Sequence, residues 1–483
     1  MSAKVYQLPY GVGRFSPRVW VGFGALAVLV GWGLYAYARQ LAEGLVVTGL
    51  RDIGSMAGAA WGLYIAFDIY FVGVSFAGIS TAALIRLLRL EHLKPVSRMA
   101  ELLTVISLIL AAFSVLPDLG LPLRGIVNLF RYARPQSPFF GTFTLVISGY
   151  LFASLVYLYL DGRRDAAVLA RVPGPFQGFY RLWAAGYGDT PGERARHHRA
   201  SLWLAIAILP LLVTAHSTLG FVFGIQAGRP GWFSALQAPG FVVMAGVSGI
   251  GLLLVIAAVL RKSLREEERL HEGVFRSLDG MLLVLVLAYL YFMVAELLTM
   301  IYAAPEAEAR VTWALLAGAY AALYWTGVGA LVLAAVVLAA AWLRDLFGLP
   351  LPAFRPVLAW ALGVLAAALW VLWLALARPG VGAASAVVAV AFVLSLVPLC
   401  GRSWVAAGVV SGLLVNVAAV AKRLLIVVPS QTHGTLLPYP VGSYTPTWVE
   451  YSILVGLLAL GTLLYVAFVK VFPIMEVEAG EVA

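Results

Sequence analysis

Residues 59–86 read AAWGLYIAFDIYFVGVSFAGISTAALIR, and the reading of this stretch decides the fold. It exceeds the roughly 20 apolar residues that an α-helix needs to cross a bilayer. Its one acid, Asp68, lies near the middle. A charge at that depth costs roughly 2.5 kcal/mol or more, so Asp68 is expected to face a bundle interior and to be paired or protonated. Trp61, Tyr64, Asp68, Phe71 and Ser75 recur at helical spacing, which sets the acid on one face with aromatics above and below it. Gly73, Ser75, Gly78, Ser80 and Thr81 leave room for a second helix to approach. The plainer alternative is an acid that only hydrogen-bonds a neighbouring helix.

The same chemistry continues outward from this stretch. Of 483 residues, 62% are hydrophobic and 12% charged, the composition of an all-α, polytopic membrane protein. No hydrophilic segment is long enough for a soluble domain, so residues 1–483 read as a single integral membrane domain. Hydropathy places about twelve spans (10–12), at 17–38, 57–86, 100–120, 139–160, 201–225, 239–261, 279–302, 312–343, 355–377, 381–400, 403–427 and 447–472. The pair around Arg378-Pro379-Gly380 forms a hairpin that crosses fully or only in part. Gly73-Val74-Ser75 precedes Arg86 much as Gly246-Val247-Ser248 precedes Arg261. This faint parallel repeat predicts a transmembrane helix bundle of two successive four-helix bundles, 57–225 and 239–377, with additional C-terminal spans in 381–472.

Charge sets the orientation. Of the 33 Lys and Arg residues, 23 fall on the side that holds the N-terminus, which predicts a cell (inner) membrane protein with both termini cytoplasmic and the segment 428–446 facing outward. The net charge of +10 belongs to those loops, so no nucleic-acid partner is expected. The start, MSAKVYQLPYGVGRFSPR, is too polar for a signal-peptide core, so the first apolar segment is expected to remain as a helix. The loop 161–200 reads as a short interfacial helix followed by a basic hook, GERARHHR, and KSLREEERLHEGVFR as a solvated helix.

Few ionisable groups fall inside spans. Asp68, His216, Glu296 and the pair Lys422–Arg423 lie about 16, 14, 9 and 8 Å from the outer ends of their helices. Their shared depth predicts one pocket in the outer half. Each has a plainer alternative: snorkelling for Lys422 and Arg423, an ion pair with them for Glu296, and for His216 a carbonyl freed by Pro210. The third span adds Glu101, Thr104, Ser107, Ser114 and Asp118 at helical spacing, either a proton file or hydroxyls bonding back to their own helix. Of His92, His197, His198, His216, His271 and His433, only His216 lies within a span, so no haem is expected. The single cysteine, Cys400, excludes an intrachain disulfide and a cysteine-ligated iron–sulfur cluster in this chain. No metal-ligand spacing and no nucleotide motif is present.

At WGLYIAFDIYFVGVSFAG, the His216 helix, AELLTMIY, LLVNVAAVAKRLLIVVPS and YTPTWVEYSILVGLLALGTLLYVAFVKVFPI, the chain resembles the NrfD/PsrC family, the membrane subunits of polysulfide reductase-type molybdoenzyme complexes. The resemblance implies a haem-free integral subunit that exchanges electrons and protons with the quinone pool, menaquinone or ubiquinone, near the outer face. It further implies two partners, a four-cluster ferredoxin-like iron–sulfur subunit and a molybdopterin catalytic subunit. Asp68, His216, Glu296 and Arg423 sit where the family's polar quinone-site or proton-path residues lie. Lys422 departs from the acid or amide of several branches, and the spans at 355–400 exceed the family's usual number. On this reading His216 is the first proton acceptor, Asp68 orients it or takes the next proton, and Arg423 holds a quinone oxygen. Trp61 and Tyr64 cover the ring, while Glu101 and Asp118 belong to the proton path. A secondary transporter, which requires inverted repeats and broken helices, and a purely structural membrane anchor are the alternatives.

Overall fold

The computed structural model describes residues 8–50, 59–132, 134, 136, 144–302, 305–348, 350, 355–376, 379–432 and 444–477. Lys4, Arg378, His433, residues 139–143 of the fourth expected span and residues 433–443 of the expected outward segment lie outside them.

The described elements are helical. In chain order they are α1 (Pro17–Glu43), α2 (Leu63–Leu87), α3 (Lys94–Asp118), α4 (Pro122–Tyr132), α5 (Thr144–Leu169), α6 (Gln177–Ala184), α7 (Pro191–Gly224) and α8 (Gln237–Ser263). There follow α9 (Glu272–Ile301), α10 (Glu306–Leu316), α11 (Ala321–Phe347), α12 (Pro356–Leu376), α13 (Pro379–Cys400), α14 (Trp404–Val427), α15 (Pro429–Thr432) and α16 (Trp448–Val471). Among the described residues ten are long and apolar enough to cross a membrane, namely α1, α2, α3, α5, α7, α8, α9, α11, α14 and α16. In α12 and α13 the apolar runs are shorter, Pro356–Leu372 and Ala384–Cys400.

Local chemistry sets several helix starts. Ser16 caps α1 ahead of Pro17, and Thr190 with Glu193, like Thr447 with Glu450, closes a reciprocal capping box. The Thr190 cap corrects one expectation: GERARHHR is no hook but the first turns of α7. Polar residues hold a helix outside the bilayer as well as apolar ones do inside it, so hydropathy alone misplaces the start. A second correction concerns KSLREEERLHEGVFR, where residues 264–271 form turns between α8 and α9, with Arg265 at φ 58°. Its charge pattern has helical period, but the chain must reverse within eight residues. The 312–343 span is also interrupted, as α10 ends at Leu316 and α11 begins at Ala321.

Helix α2 is central and packs on α3, α7, α8 and α14. Its approach to α3 requires Gly78, where a Cβ would stand 2.1 Å from the Ala100 carbonyl oxygen. The helices carrying the Gly-Val-Ser repeat, α2 and α8, pack on each other, and a Cβ at Gly73 would lie 3.5 Å from Ser248 Oγ. Helix α8 also packs on α7, α9 and α14, α11 on α9 and α14, and α1 on α16. One end of the bundle, the basic end, gathers Arg86, Arg98, Arg261, Arg344, Arg402 and Lys470.

Candidate functional site

Arg423, on the last turns of α14, is 2% exposed. Its guanidinium lies over the Phe241 ring of α8, 4.3 Å from the centroid. Nε is buried without a hydrogen-bond partner, and no carboxylate pairs with Arg423 among the described residues. Gly73 of α2 leaves the space beside its terminal nitrogen. Unpaired buried cations are costly, so an uncompensated guanidinium calls for an explanation outside fold stability. Around Phe241 stands an aromatic group: Phe223 stacks on it at 5.8 Å, Trp232 meets Phe223 edge-on at 5.0 Å, and Trp61 stacks on Trp232 at 5.8 Å. Trp232 Nε1 donates to the Ile426 carbonyl at 2.6 Å, which ties this group to the turn of α14 that follows Arg423.

His216 is within electrostatic reach of Arg423 and is 1% exposed. Its Nδ1 is 2.8 Å from the Leu212 carbonyl and its Nε2 2.8 Å from the Val72 carbonyl of α2. The carbonyl expected from Pro210 is thus not its partner. A neutral imidazole has one N–H and donates to only one of these oxygens, whereas the doubly protonated ring satisfies both. Phe76 packs edge-on against the ring at 4.9 Å.

Asp68 falls in a different group. It is 6% exposed and interacts electrostatically with Asp118 of α3, which also senses Glu450 of α16. Asp118 Oδ1 has no partner. Tyr64 donates to Gln40 Oε1 at 2.7 Å, and Gln40 Nε2 donates to the Pro117 carbonyl at 2.6 Å, linking α1, α2 and α3 beside the acids. Glu450 accepts from the Gly49 amide at 2.7 Å and from Tyr444 Oη at 2.5 Å.

Glu296 pairs with Lys422 at 2.7 Å and accepts from Gln237 Nε2 at 3.4 Å. Crevices on either side of this ion pair enclose only about 30 and 10 Å³, and both are lined by Met293 and Ile426. The expected single pocket therefore resolves into two groups: Asp68 with Asp118 and Tyr64, and Arg423 with His216 and Trp61, which Phe241 and Tyr289 join to Glu296 and Lys422 across the smaller crevice. Glu101 is fully buried at the basic end of α3, where Ser97 Oγ donates to it at 3.1 Å. Along the rest of that stripe Thr104 bonds back to the Ala100 carbonyl and Ser114 to the Ala111 carbonyl, while Thr104 also donates across to the Ser75 carbonyl of α2.

A profile of the family described as "Polysulphide reductase, NrfD" matches residues 52–350. The chain belongs to the NrfD family. This NrfD chain is a multi-pass integral membrane protein. It is 35% identical over 240 residues to a putative dimethyl sulfoxide reductase membrane subunit of Halobacterium salinarum, covering 50% of this chain and 51% of the relative. The chain thus spans about half the length of that relative. It is 25% identical over 324 residues to a selenate reductase subunit of Mesobacillus selenatarsenatis, 65% of this chain and 74% of the relative. Over 473 residues it is 24% identical to the Hdr-like menaquinol oxidoreductase integral membrane subunit of Archaeoglobus fulgidus, 94% and 93% of the two chains.

Sequence reasoning did not single out Phe241, Trp232 or Tyr289 beside Arg423 in this NrfD chain, because aromatic residues in apolar helices carry no individual signal. Glu450 was readable as the fourth residue of a Thr-x-x-Glu capping box, but not as a neighbour of Asp118.

Proposed function

We propose that the chain is the quinone-exchanging membrane subunit of a respiratory oxidoreductase complex, and that Arg423 binds a quinone oxygen. The observation that carries this reading is the buried guanidinium with an unpartnered Nε laid on Phe241. A planar molecule with two carbonyl oxygens fits such a group, since a guanidinium donates strongly to oxygen and the neighbouring rings offer faces to stack on. When bound, the quinone supplies the two-electron chemistry. The crevices beside Lys422 are smaller than its ring, so entry requires Met293 and Ile426 to move, and an unbranched Met side chain adapts readily.

The residues of the chain divide the work as follows. Arg423 orients an oxygen. His216 accepts a proton without turning its ring, because each nitrogen already faces a carbonyl oxygen. Asp68 and Asp118 hold the next proton on the far side of α2, with Glu450 as a third acid toward the helix ends. Glu296 keeps Lys422 neutralised beside the entrance. The names of the relatives, subunits of a dimethyl sulfoxide reductase, a selenate reductase and a menaquinol oxidoreductase, support a place in a multi-subunit reductase or menaquinol oxidoreductase, and an iron–sulfur subunit and a molybdopterin subunit are its proposed partners. The basic end then faces the cytoplasm, with both termini. Helix packing supports one four-helix group of α2, α3, α5 and α7, and a second of α8, α9 and α11 joined by α14.

Quinone binding is measurable through the tryptophans. A menaquinone analogue should quench the fluorescence of Trp61 and Trp232 in the purified protein, and Arg423→Gln should weaken that quenching at least tenfold. Unchanged affinity in Arg423→Gln would refute this assignment. The dithionite-reduced spectrum should contain no haem α band from this subunit.

A further inference from the structure

The two Gly-Val-Ser repeats each lead into a helix whose eighth residue is a fully buried acid, Glu101 in α3 and Asp279 in α9. Their surroundings differ. Glu101 lies near Arg86 and Arg98 and accepts from Ser97. Asp279 is 0% exposed, and neither carboxyl oxygen has a hydrogen-bond partner among the described residues. What faces it from the packed helices is Leu254 of α8, Gly408 of α14 and Cys400 at the end of α13, none of them charged. Trp342 of α11 rests on the adjacent Gly280, and its Nε1 is likewise unpartnered. The nearest cation on the same helix, Arg276, is engaged with Asp345 at 2.8 Å.

Beyond this wall a polar recess of about 510 Å³ opens at the basic end, lined by Arg344, Asp345, Arg402 and Ser403 and floored by Cys400 and Trp404. Trp404 meets Trp342 at 5.3 Å, and Cys400, which also lines the recess, is within electrostatic reach of Asp279, so these side chains stand between the recess and the carboxyl. An ionised carboxylate with no partner at this depth costs several kcal/mol, far more than the neutral acid. A proton is therefore the cheapest partner available to Asp279, and the recess gives it a short route to water.

We propose that Asp279 is a proton-exchanging carboxyl of the second repeat, loaded from the basic end through the recess between α11, α13 and α14. A hydronium ion in the recess breaks one of its O–H bonds and leaves water as the proton forms an O–H bond to a carboxylate oxygen of Asp279, and the reverse transfer to water re-forms hydronium and the carboxylate. No electron is exchanged. The site is separate from Arg423 and does not rest on where quinone binds. Gly408 is part of it, since a Cβ there would stand 2.7 Å from Asp279 Oδ1.

Infrared difference spectroscopy of the full chain in detergent, exchanged from H₂O to D₂O, tests this directly. The wild type should show a protonated-carboxyl C=O band that moves in D₂O within minutes, and Asp279→Asn should lose that component. Should the Asn variant not accumulate, Asp279→Glu and Gly408→Ala should each displace the band, one by altering the acid and the other by crowding its oxygen. A carboxyl region identical in the wild type and all variants would mean that Asp279 is ionised, and would overturn the proposal. So would a band lost in Asp279→Asn but insensitive to D₂O, because a sealed acid exchanges no protons with the recess.

Discussion

At the basic end Arg98 is buried among carboxylates and carbonyls, whereas towards the other end Arg423 is buried against a phenyl ring. Arg98 Nε bonds Asp161 at 2.8 Å, its Nη2 pairs with Asp165 at 2.8 Å, and Nη1 donates to the Pro473 and Met475 carbonyls at 3.0 and 3.1 Å. That network fastens α3 to α5 and to the segment following α16. Arg423 has the same chemistry and burial but no counter-charge among the described residues. A satisfied buried cation holds structure together, while an unsatisfied one is tolerated where something else supplies the partner. Glu101 and Asp279 repeat part of the contrast: Glu101 accepts from Ser97 through one oxygen and leaves Oε2 without a partner, whereas Asp279 has none at either oxygen among the described residues.

The contrast breaks or sharpens under substitution. The largest effect should come from Arg98→Ala, which strands Asp161 and Asp165 without their partner and costs about 3–5 kcal/mol. It should sharply lower the amount of folded protein in membranes and its thermal midpoint in detergent. If Arg98→Ala folds as well as the wild type, the network is not what secures that end. Arg423→Gln should leave folding intact yet reduce quinol-dependent turnover roughly 10²-fold, the scale of a lost charge-assisted contact of about 1.5–3 kcal/mol. Electron transfer from artificial donors to the partner subunits should be unaffected, because those donors bypass the site.

Arg423→Met sharpens the same point from the stability side. An apolar side chain of similar length removes the burial cost of an unpaired charge, so the thermal midpoint should stay level or rise while quinol turnover is lost. A fall in the midpoint comparable with that of Arg98→Ala would assign Arg423 to structure. Smallest of all should be Glu296→Gln. The pair with Lys422 is mostly buried, at 14% and 20% side-chain exposure, but the amide of Gln keeps an oxygen that accepts from Lys422, so the thermal midpoint should fall less than in Arg98→Ala. Turnover within about twofold of wild type is expected; a loss matching that of Arg423→Gln would place Glu296 in the quinone site itself.

Much of the molecule was legible before its structure. Apolar runs of bilayer length located all ten long helices, but the ends missed by up to ten residues, mostly where charged residues continue a helix, as in α7, or where a run is interrupted, as between α10 and α11, while α2 begins at Leu63 and not at the expected 57. Asp68, Glu101, His216 and Arg423 were singled out and are buried, whereas the buried Arg98, Asp161, Asp165 and Asp279 were not singled out. Grouping them was not possible, because depth along a helix is written in the sequence and azimuth between helices is not.

Sequence by itself determined that this is a helical membrane protein of the NrfD family with a handful of buried ionisable groups, since spans and motifs depend on local composition and spacing. Tertiary structure alone decided the partners: Arg98 with its aspartates, Lys422 with Glu296, Asp68 with Asp118, and neither Arg423 nor Asp279 with any counter-charge among the described residues. The physical reason is that the energy of a buried charge is set by what lies within a few ångströms of it, and in a bundle those neighbours come from helices distant in the chain.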